Sequence, residues 1–397
     1  MTVRGWCPTL FEPMASGDGL LLRVKPRAAR LSAAQAHALA EAAALHGNGW
    51  LDLTNRANLQ IRGLRPETVE PFTAAMLAAD LAAPDPGVER RRSIIAPPLL
   101  GDDPTIPSLA SDWLDALEAL LAEPALAALP SKFGLVLDGG GLLPLQDVEA
   151  DLTLRLTPSG AALHLPGADL HAPDASPAAV AALLDAFLAL SGARRMRDAV
   201  QAVGAAALFA AADLRVEPSP APRPAPQPIG CHPLGSRTLL GLGIPFGALS
   251  ATTLAHLADL AERHGDGTLR LTPWRALLLP GLTDPAPVLA AGTGLITDPA
   301  DPRLRLRACP GTQGCASGRA DTRADAAALL GMGTLPRMGL LHLSGCAKGC
   351  AHPAPAAVTL VAEAEGRYAL IRRGRAGDAP VRAGLTLAEA AAELEEP

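Results

Sequence analysis

The sequence of 397 residues contains one pattern twice, and the two copies lie 218 positions apart, as in Leu31 and Leu249. The segment H-G-x-G-x-L-x-L-T begins at His46 and begins again at His264, with no gap between the copies. A repeat of this length indicates that one supersecondary unit has been duplicated. The sequence therefore predicts two similar strand–helix–strand units related by a pseudo-two-fold axis.

Each unit carries clear local signals, best seen in the first copy. The apolar run Leu20–Val24 is typical of a buried strand. Ser32 and Gln35 have the spacing of a capping box, which predicts that a helix begins there. His46 and Gly47 end that helix, and we expect the glycine to adopt the left-handed conformation. The following W-L-D-L-T predicts a second strand.

Four of the six cysteines form a C-x5-C pair, Cys309 and Cys315, and a C-x3-C pair, Cys346 and Cys350. Four thiolates on glycine-rich turns are typical of a [4Fe–4S] cluster, because the backbone must approach the sulfur atoms closely. The glycines in question are Gly311, Gly314, Gly345 and Gly349. The sequence therefore predicts a cluster bound by these four cysteines.

Other uses of the four cysteines remain open, namely two disulfides, a zinc site or buried thiols. Structural zinc sites favour C-x2–4-C spacing, and disulfides are rare in reducing compartments. We expect the remaining two cysteines, Cys7 and Cys231, to be buried core thiols.

Composition limits the classes of function. The formal net charge is -6 and no block of basic residues is present, so we expect no nucleic-acid partner. The N-terminal residues lack the apolar stretch of a signal peptide. The most apolar run, Ala178–Ala193, is too short to cross a membrane. We therefore expect a soluble cytoplasmic protein that does not bind membranes.

The region between the two copies is predicted to be α+β. Its expected elements are a helix over Ser111–Ala122, a strand after Lys132, a hairpin of Asp151–Leu156 with Ala161–Leu165, and helices over Pro177–Ser191 and Met196–Leu208. Alternating prolines in Glu217–Gln227 predict an extended linker before the second copy.

Together, the cysteine motif, the repeat and the R-x-N-x-Q-x-R segment resemble the siroheme-dependent sulfite and nitrite reductase superfamily. Within it the chain is most similar to the cobalamin-pathway branch, the precorrin-3B synthases. The resemblance implies an α+β fold with a duplicated nitrite/sulfite-reductase-like architecture, in which two ferredoxin-like half domains and two cofactor- or substrate-binding halves are related by pseudo-two-fold symmetry. The implied divisions are 1–70 (first ferredoxin-like half domain), 71–215 (first tetrapyrrole-binding domain), 216–229 (linker), 230–290 (second ferredoxin-like half domain) and 291–397 (cluster-binding half).

Three cations match anion-binding motifs of the superfamily. Arg56, with Thr54 and Gln60, matches the T-x-R-Q type motif. Arg92 in R-R-S-I is the best match to the N-R-N-V arginine, with Arg91 as the alternative. In a separate motif, L-P-S-K-F-G matches L-P-R-K-F-K and places its lysine at Lys132. The resemblance implies that these cations face macrocycle carboxylates or a small anionic substrate. In the reductases the last cysteine of the motif also bridges the cluster to the siroheme iron, and the resemblance implies that this role would fall to Cys350 here.

Two departures distinguish the chain from the reductases. Gly134 replaces the second lysine of K-F-K, and no flavin or nicotinamide-binding motif is recognisable. The resemblance therefore favours an iron–sulfur monooxygenase that uses O2 to hydroxylate precorrin-3A at C20 and forms a γ-lactone. The alternative is a small siroheme/[4Fe–4S] sulfite or nitrite reductase.

The same resemblance implies the cofactors and partners. They are a [4Fe–4S] cluster, a mononuclear non-haem iron as a further candidate, and siroheme only under the alternative. The candidate histidines for a second iron are His342, His352, His232 and His46, of which His352 is the first choice. The expected partners are an anionic tetrapyrrole, O2 and an external electron donor, either an NADH-linked reductase or a ferredoxin-like protein.

Overall fold

The computed structural model describes residues 7–158, 160–190, 192, 194–221, 226–336 and 339–394. Within these residues the fold is α+β and contains four β-sheets. The first copy of the repeat consists of β1 Met14–Ser16, β2 Gly19–Val24, β3 Arg30–Ser32, α1 Ala33–His46, β4 Trp50–Leu53, β5 Leu59–Leu64 and α2 Pro66–Ala78. As predicted, the Ser32 side chain accepts from the Gln35 amide in a complete capping box at the start of α1.

The first large half follows this copy. Its elements are α3 Pro86–Arg91, β6 Ile94–Ile95, α4 Leu109–Ala122, β7 Leu135–Asp138, β8 Leu152–Thr157, β9 Gly160–His164, β10 Leu170–Ala172, α5 Pro177–Ala189, α6 Met196–Val203, α7 Ala205–Ala211 and β11 Glu217–Pro218. The strands form one sheet in the order β11-β10-β9-β8-β7-β6.

The second copy and the second half repeat this order. The copy consists of β12 Gly230–Leu234, β13 Arg237–Gly243, β14 Ala248–Ser250, α8 Ala251–His264, β15 Thr268–Leu271, β16 Ala276–Leu282 and α9 Ala286–Ala290. The half that follows consists of β17 Leu306–Ala308, α10 Thr322–Gly331, β18 Leu341–Ser344, β19 Ala356–Ala362, β20 Tyr368–Gly374, β21 Arg382–Leu385 and α11 Leu387–Leu394.

The two copies of the repeat exchange a strand and form one unit. Sheet A has the order β1-β2-β5-β4-β14, and sheet B has the order β12-β13-β16-β15-β3. Each sheet therefore ends in a strand from the other copy, with Leu249 opposite Leu51 and Leu31 opposite Leu269. Helices α1 and α8 pack together, and their alanines and leucines share one core with the inner faces of both sheets.

Backbone conformation follows the same symmetry. Ala28 and Phe246 have φ values of 51° and 56°, and Ala57 and Arg275 have φ values of 53° and 59°. Both pairs of residues are separated by the repeat length, and positive φ is uncommon for residues other than glycine. The predicted duplication is thus confirmed in the backbone as well as in the sequence.

The two large halves are also related, although their sequences do not show it. In the first, β6, β7 and β8 are parallel and β9 is antiparallel to β8. In the second, β17, β18 and β19 are parallel and β20 is antiparallel to β19. We call the sheet of the first half, β6 to β11, sheet C, and the sheet of the second half, β17 to β21, sheet D.

Three local expectations were wrong. Gly47 has φ of −113°, so it is extended, and Gly49 takes the left-handed conformation with φ of 77°. The expected single helix from Met196 is two helices, because Gly204 breaks it with φ of 83°. Cys231 is exposed and not part of a core.

The predicted linker is described only in part, because residues 222–225 lie outside the described residues. Its first residues, Glu217–Pro218, form β11 and pair with β10. No helix within the described ranges is both long enough and apolar enough to span a membrane.

Candidate functional site

The four cysteines of the predicted cluster lie on loops at one edge of sheet D. Cys309 directly follows β17, and Cys346 comes two residues after the end of β18. These two strands are parallel, so their carboxyl ends lie at the same edge of the sheet. Cys315 and Cys350 lie further along the same two loops, and all four are free thiols.

The glycines around Cys309 leave room for sulfur and direct a donor to it. The backbone amide of Gly345 donates to Cys309 Sγ at 3.1 Å. A Cβ at Gly345 would lie 3.3 Å from that sulfur, and one at Gly311, where φ is 59°, would lie 2.2 Å from the Ala320 oxygen. Backbone amides that donate to thiolate sulfur at glycine turns are what an iron–sulfur cluster requires. The residues present therefore fit such a cluster.

The four thiols also lie close enough for the charges of three of them to affect the pKa of the fourth. Burial raises the pKa of the Cys350 thiol, and the negative charges of Cys346, Cys309 and Cys315 raise it further. No three His, Cys, Asp or Glu side chains in the described ranges converge as ligands of one metal ion. This finding concerns a single ion, whereas a cubane binds each of its four thiolates to a different iron and so spaces them more widely.

Sheet A holds the loop that carries Cys315. Arg62 of β5 donates from Nη2 to the carbonyl oxygen of Gly314, and the Ser16 hydroxyl donates to the same oxygen at 2.8 Å. Asp18 pairs with Arg62 Nε at 3.0 Å, and both side chains are largely buried. A Cβ at Gly17 would lie 2.4 Å from the carbonyl carbon of Cys315, so sheet A and the cysteine loop are in direct contact.

Arg56 and Lys132, two of the predicted cations, lie together. Arg56 Nη2 donates to the main-chain oxygen of Lys132 at 2.8 Å, and Arg56 Nη1 donates to Ser93 Oγ at 3.1 Å. Burial lowers the pKa of Arg56, and the nearby charges of Arg195 and Arg23 act in the same direction. The structure thus brings the T-x-R-Q and L-P-x-K motifs to one place.

Gly134, the departure from the K-F-K motif, accommodates this arrangement. A Cβ at Gly134 would lie 3.0 Å from Arg56 Nη1. The Gly134 amide also donates to Asp151 Oδ2 at 3.0 Å. A larger residue here would press on the Arg56 guanidinium.

Arg92 differs from the other two cations, because it is held in a buried ion pair. Its Nη2 lies 2.9 Å from Glu89 Oε2, and the Glu89 side chain is fully buried. Lys25 donates from Nζ to the Glu89 main-chain oxygen at 2.5 Å. Arg92 therefore stabilises the α3 region, and its direct contact with a substrate remains a prediction.

The outer face of sheet A connects the cysteine loop with the predicted cations. Arg23 and Gln60 are register partners on β2 and β5, and Arg23 Nη2 donates to Gln60 Oε1 at 3.2 Å. Arg62 lies two residues beyond Gln60 and shares its face. The equivalent residues of sheet B, one repeat length later, are Gly241, Leu278 and Pro280, which are uncharged. At these three positions sheet A is polar and sheet B is uncharged, although Arg270 of β15 lies opposite Leu278 on the same face of sheet B.

Two candidate histidines meet beside the last cysteine loop. The His342 and His352 ring centroids lie 5.8 Å apart. His342 is fully buried, and neither ring nitrogen has a hydrogen-bond partner among the described residues. Burial lowers the pKa of His342 to about 4, so its ring is neutral. His46 and His232 lie instead on α1 and β12, and the described ranges hold no three-ligand site for a second iron.

A cavity of about 500 Å³ lies next to Cys346. Its lining includes Ala316–Arg319 of the first cysteine loop, and Val361, Ala369 and Ile371 on the outer face of sheet D. The cavity places a partly apolar space beside the predicted cluster. Sequence reasoning gave no indication of it, because its walls come from separate segments.

Comparison with known proteins is consistent with this architecture. The nitrite/sulfite reductase ferredoxin-like half domain family matches residues 12–79 and 232–286, which cover most of both copies of the repeat. The solved structure of the Mycobacterium tuberculosis NirA protein superposes with a TM-score of 0.71, covering 94% of this chain and 79% of that chain at 21% identity. This structural likeness confirms the predicted fold.

Two individual proteins are similar to nearly the whole chain. A precorrin-3B synthase from Sinorhizobium sp is 36% identical, with 95% of this chain and 84% of that protein covered. A ferredoxin–nitrite reductase from Synechococcus elongatus is 25% identical, with 90% and 78% covered. Because the nitrite reductase is less identical to this chain than the precorrin-3B synthase is, the comparison does not favour the reductase alternative. The chain belongs to the precorrin-3B synthase family, within the nitrite and sulfite reductase superfamily.

Proposed function

We propose that this protein is a precorrin-3B synthase that uses O2 to hydroxylate precorrin-3A at C20, with formation of a γ-lactone. The observation that carries the proposal is the 36% identity with a precorrin-3B synthase over 95% of the chain. Gly134 supports it, since the position lacks the second lysine that the reductase K-F-K motif has. The product belongs to corrin biosynthesis, and we place the reaction in the cytoplasm, where free thiols persist.

The proposed cofactor is a [4Fe–4S] cluster bound by Cys309, Cys315, Cys346 and Cys350. When bound, it would supply electrons one at a time. A monooxygenase reaction inserts one oxygen atom of O2 and releases the other as water, so it consumes electrons from an external donor. An NADH-linked reductase or a ferredoxin-like protein would provide them.

The chain's own residues would bind and orient the substrate. Precorrin-3A is a polyanion, and guanidinium groups bind carboxylates through paired hydrogen bonds. Arg56 is rigidly held by Ser93 and by the main chain of Lys132, so its position is fixed before the substrate arrives. We propose that Arg56 and Lys132 bind substrate carboxylates and thereby fix the position of C20. No step is assigned to a second iron, because the described residues offer no ligand set for it.

The test begins with protein purified without oxygen. Iron and acid-labile sulfide are counted, and optical and EPR spectra are recorded for the oxidised and reduced protein. Precorrin-3A is then supplied with an electron donor and isotopically labelled O2, and the product is analysed by mass spectrometry. We expect cluster spectra without siroheme bands, and one labelled oxygen atom in the product.

Two results would contradict the proposal. Tightly bound siroheme together with reduction of sulfite or nitrite would show that the protein is a reductase. A protein that contains the cluster but does not convert precorrin-3A in the presence of O2 and reductant would exclude the synthase activity.

A further inference from the structure

Arg275 lies at the turn between β15 and β16 and reaches the last cysteine loop. Its Nη2 donates to the main-chain oxygen of Ala351, the residue after Cys350, at 3.0 Å. Its backbone is left-handed, with φ of 59°, which is uncommon for a long side chain. Ala57, the equivalent residue of the first copy, has φ of 53°, so the conformation belongs to the repeated turn. Arg275 is not among the cations that the sequence motifs identified.

The other end of the same guanidinium lacks a partner. Arg275 Nη1 is buried and makes no hydrogen bond within the described residues. An unsatisfied buried donor on a charged group is costly, and such groups normally have a partner in the working protein. The missing partner must be an acceptor, because guanidinium nitrogens only donate.

The charges around Arg275 favour an anionic acceptor. Arg307 and Arg323 both act on it, opposed by the carboxylate of Asp52. Arg323 Nη2 binds Asp52 Oδ1 at 2.6 Å, while Arg307 donates to the main-chain oxygen of Leu304 at 2.8 Å. Burial, together with the nearby charge of Arg307, lowers the pKa of Arg275 to about 10. Asp52 also pairs with Arg62 Nη1 at 3.5 Å, so positive charge exceeds negative charge around Arg275.

We propose that Arg275, with Arg323 beside it, binds a peripheral carboxylate of the tetrapyrrole next to the Cys350 loop. The inference rests on the proposed function, which supplies a polycarboxylate substrate. It adds a binding residue from the second copy of the repeat to Arg56 of the first copy. The two sites would hold different carboxylates and so fix the macrocycle relative to the cysteine loop.

A purely structural role for Arg275 predicts different behaviour. If Arg275 only supports Ala351, its replacement should disturb the cysteine loop and the cluster. If it binds a carboxylate, its replacement should weaken tetrapyrrole binding while the cluster stays intact. The two readouts are independent of catalytic turnover.

The experiment uses the full-length protein with its cluster, handled without oxygen. Uroporphyrin III, an octacarboxylic porphyrin, and coproporphyrin III, a tetracarboxylic one, are titrated while porphyrin fluorescence is followed. The variants are Arg275→Gln, which retains a donor for Ala351, and Arg275→Lys, which retains the charge. The control is Arg215→Gln, which removes a positive charge from an exposed ion pair. Iron, sulfide and EPR spectra are recorded for each protein.

We expect Arg275→Gln to weaken uroporphyrin binding about 10- to 100-fold, as when a charged hydrogen bond is lost. The uroporphyrin affinity of Arg275→Lys should lie between those of wild type and Arg275→Gln. Arg215→Gln should bind uroporphyrin as tightly as wild type. In Arg275→Gln, the affinities for uroporphyrin and coproporphyrin should differ less than they do in wild type. Cluster content should not change in any variant.

Unchanged uroporphyrin affinity in Arg275→Gln with an intact cluster would overturn the inference and leave the proposed function standing. Loss of the cluster in both Arg275 variants would overturn it as well, because it would assign the arginine to loop support. If wild type binds neither porphyrin nor precorrin-3A, the proposed function fails, and the inference fails with it.

Discussion

Arg56 donates to the main-chain oxygen of Lys132 at 2.8 Å and so joins the first copy of the repeat to the first large half. The two residues belong to separate motifs, 76 positions apart. Their contact places the arginine motif and the lysine motif next to each other.

Replacement of the four motif cysteines should remove the cluster. Cys309→Ser, Cys315→Ser, Cys346→Ser and Cys350→Ser should each lower the iron and acid-labile sulfide content and abolish the EPR signal of the normal reduced cluster, because a thiolate ligand is missing. Cys231→Ser is the matched control, since Cys231 is an exposed free thiol. A normal cluster in Cys309→Ser would exclude this set of ligands.

Arg62→Ala should weaken the attachment of the Cys315 loop to sheet A. It removes a buried partner of Asp18 and a donor to the Gly314 oxygen. Breaking a buried pair lowers the free energy of unfolding by about 3–5 kcal/mol. Chemical unfolding measures this change, and iron content should fall with it.

The control for Arg62→Ala is Arg65→Ala, which removes an ion pair whose two side chains are both exposed to solvent. Exposed pairs contribute about 0–1 kcal/mol. Equal loss of stability in the two variants would contradict the role assigned to Arg62.

Gly134→Ala should displace the Arg56 guanidinium, whose Nη1 lies 3.0 Å from the added methyl position. Overpacking of this kind costs about 1–3 kcal/mol, and we expect weaker uroporphyrin binding together with lower stability. Gly160→Ala is the control, because its Cβ would meet no atom within 4 Å. Wild-type affinity in Gly134→Ala would show that Arg56 does not need this space.

Lys132→Gln and Arg92→Gln should have different effects. Lys132→Gln should reduce uroporphyrin affinity about tenfold and change stability little, as expected for a lost charged contact with the ligand. Arg92→Gln should instead lower the free energy of unfolding by about 3 kcal/mol, because it leaves the buried Glu89 with a weaker set of partners. Porphyrin titration and urea unfolding separate the two. A selective affinity loss in Arg92→Gln would place Arg92 in the binding site.

Stability should rise between about pH 8 and pH 10.5, because burial lowers the pKa of Lys25 from 10.5 to about 8. In this range the unfolded chain keeps a proton that the folded chain has lost, so a higher pH favours folding. Below pH 8 the buried lysine is charged, and its burial lowers the free energy of unfolding by the full amount. Above pH 10.5 this free energy is higher by up to about 3 kcal/mol. Urea unfolding at several pH values measures it. The rise should be absent from Lys25→Met, and an equal rise in that variant would assign it to another group.

The sequence predicted much of the fold, because the repeat and the capping signals are local. Ser32 with Gln35 predicted the start of α1. The exchange of β3 and β14 between the two sheets could not be predicted, since strand pairing depends on which distant edge is free. The relation between the two large halves was also hidden, because their common feature is strand order and not shared residues.

The candidate site was predicted in part. The cysteine spacing and the motif cations were readable because each lies within a short segment. Arg62 ends the R-x-N-x-Q-x-R segment, but the segment does not reveal its role, because its partner Gly314 is 252 positions away. Arg275 was missed for the same reason, since its contact with Ala351 exists only after folding.

By itself, the sequence determined the duplication, the positions of the four thiols and the residue types that could bind a polyanion. Those properties follow from residue identity and short-range spacing. The tertiary structure decided which strands the two copies exchange, that Arg62 is paired with Asp18, and that Arg275 Nη1 has no hydrogen-bond partner within the described residues. Burial and long-range contacts fix these properties, and neither is encoded in any single segment of the chain.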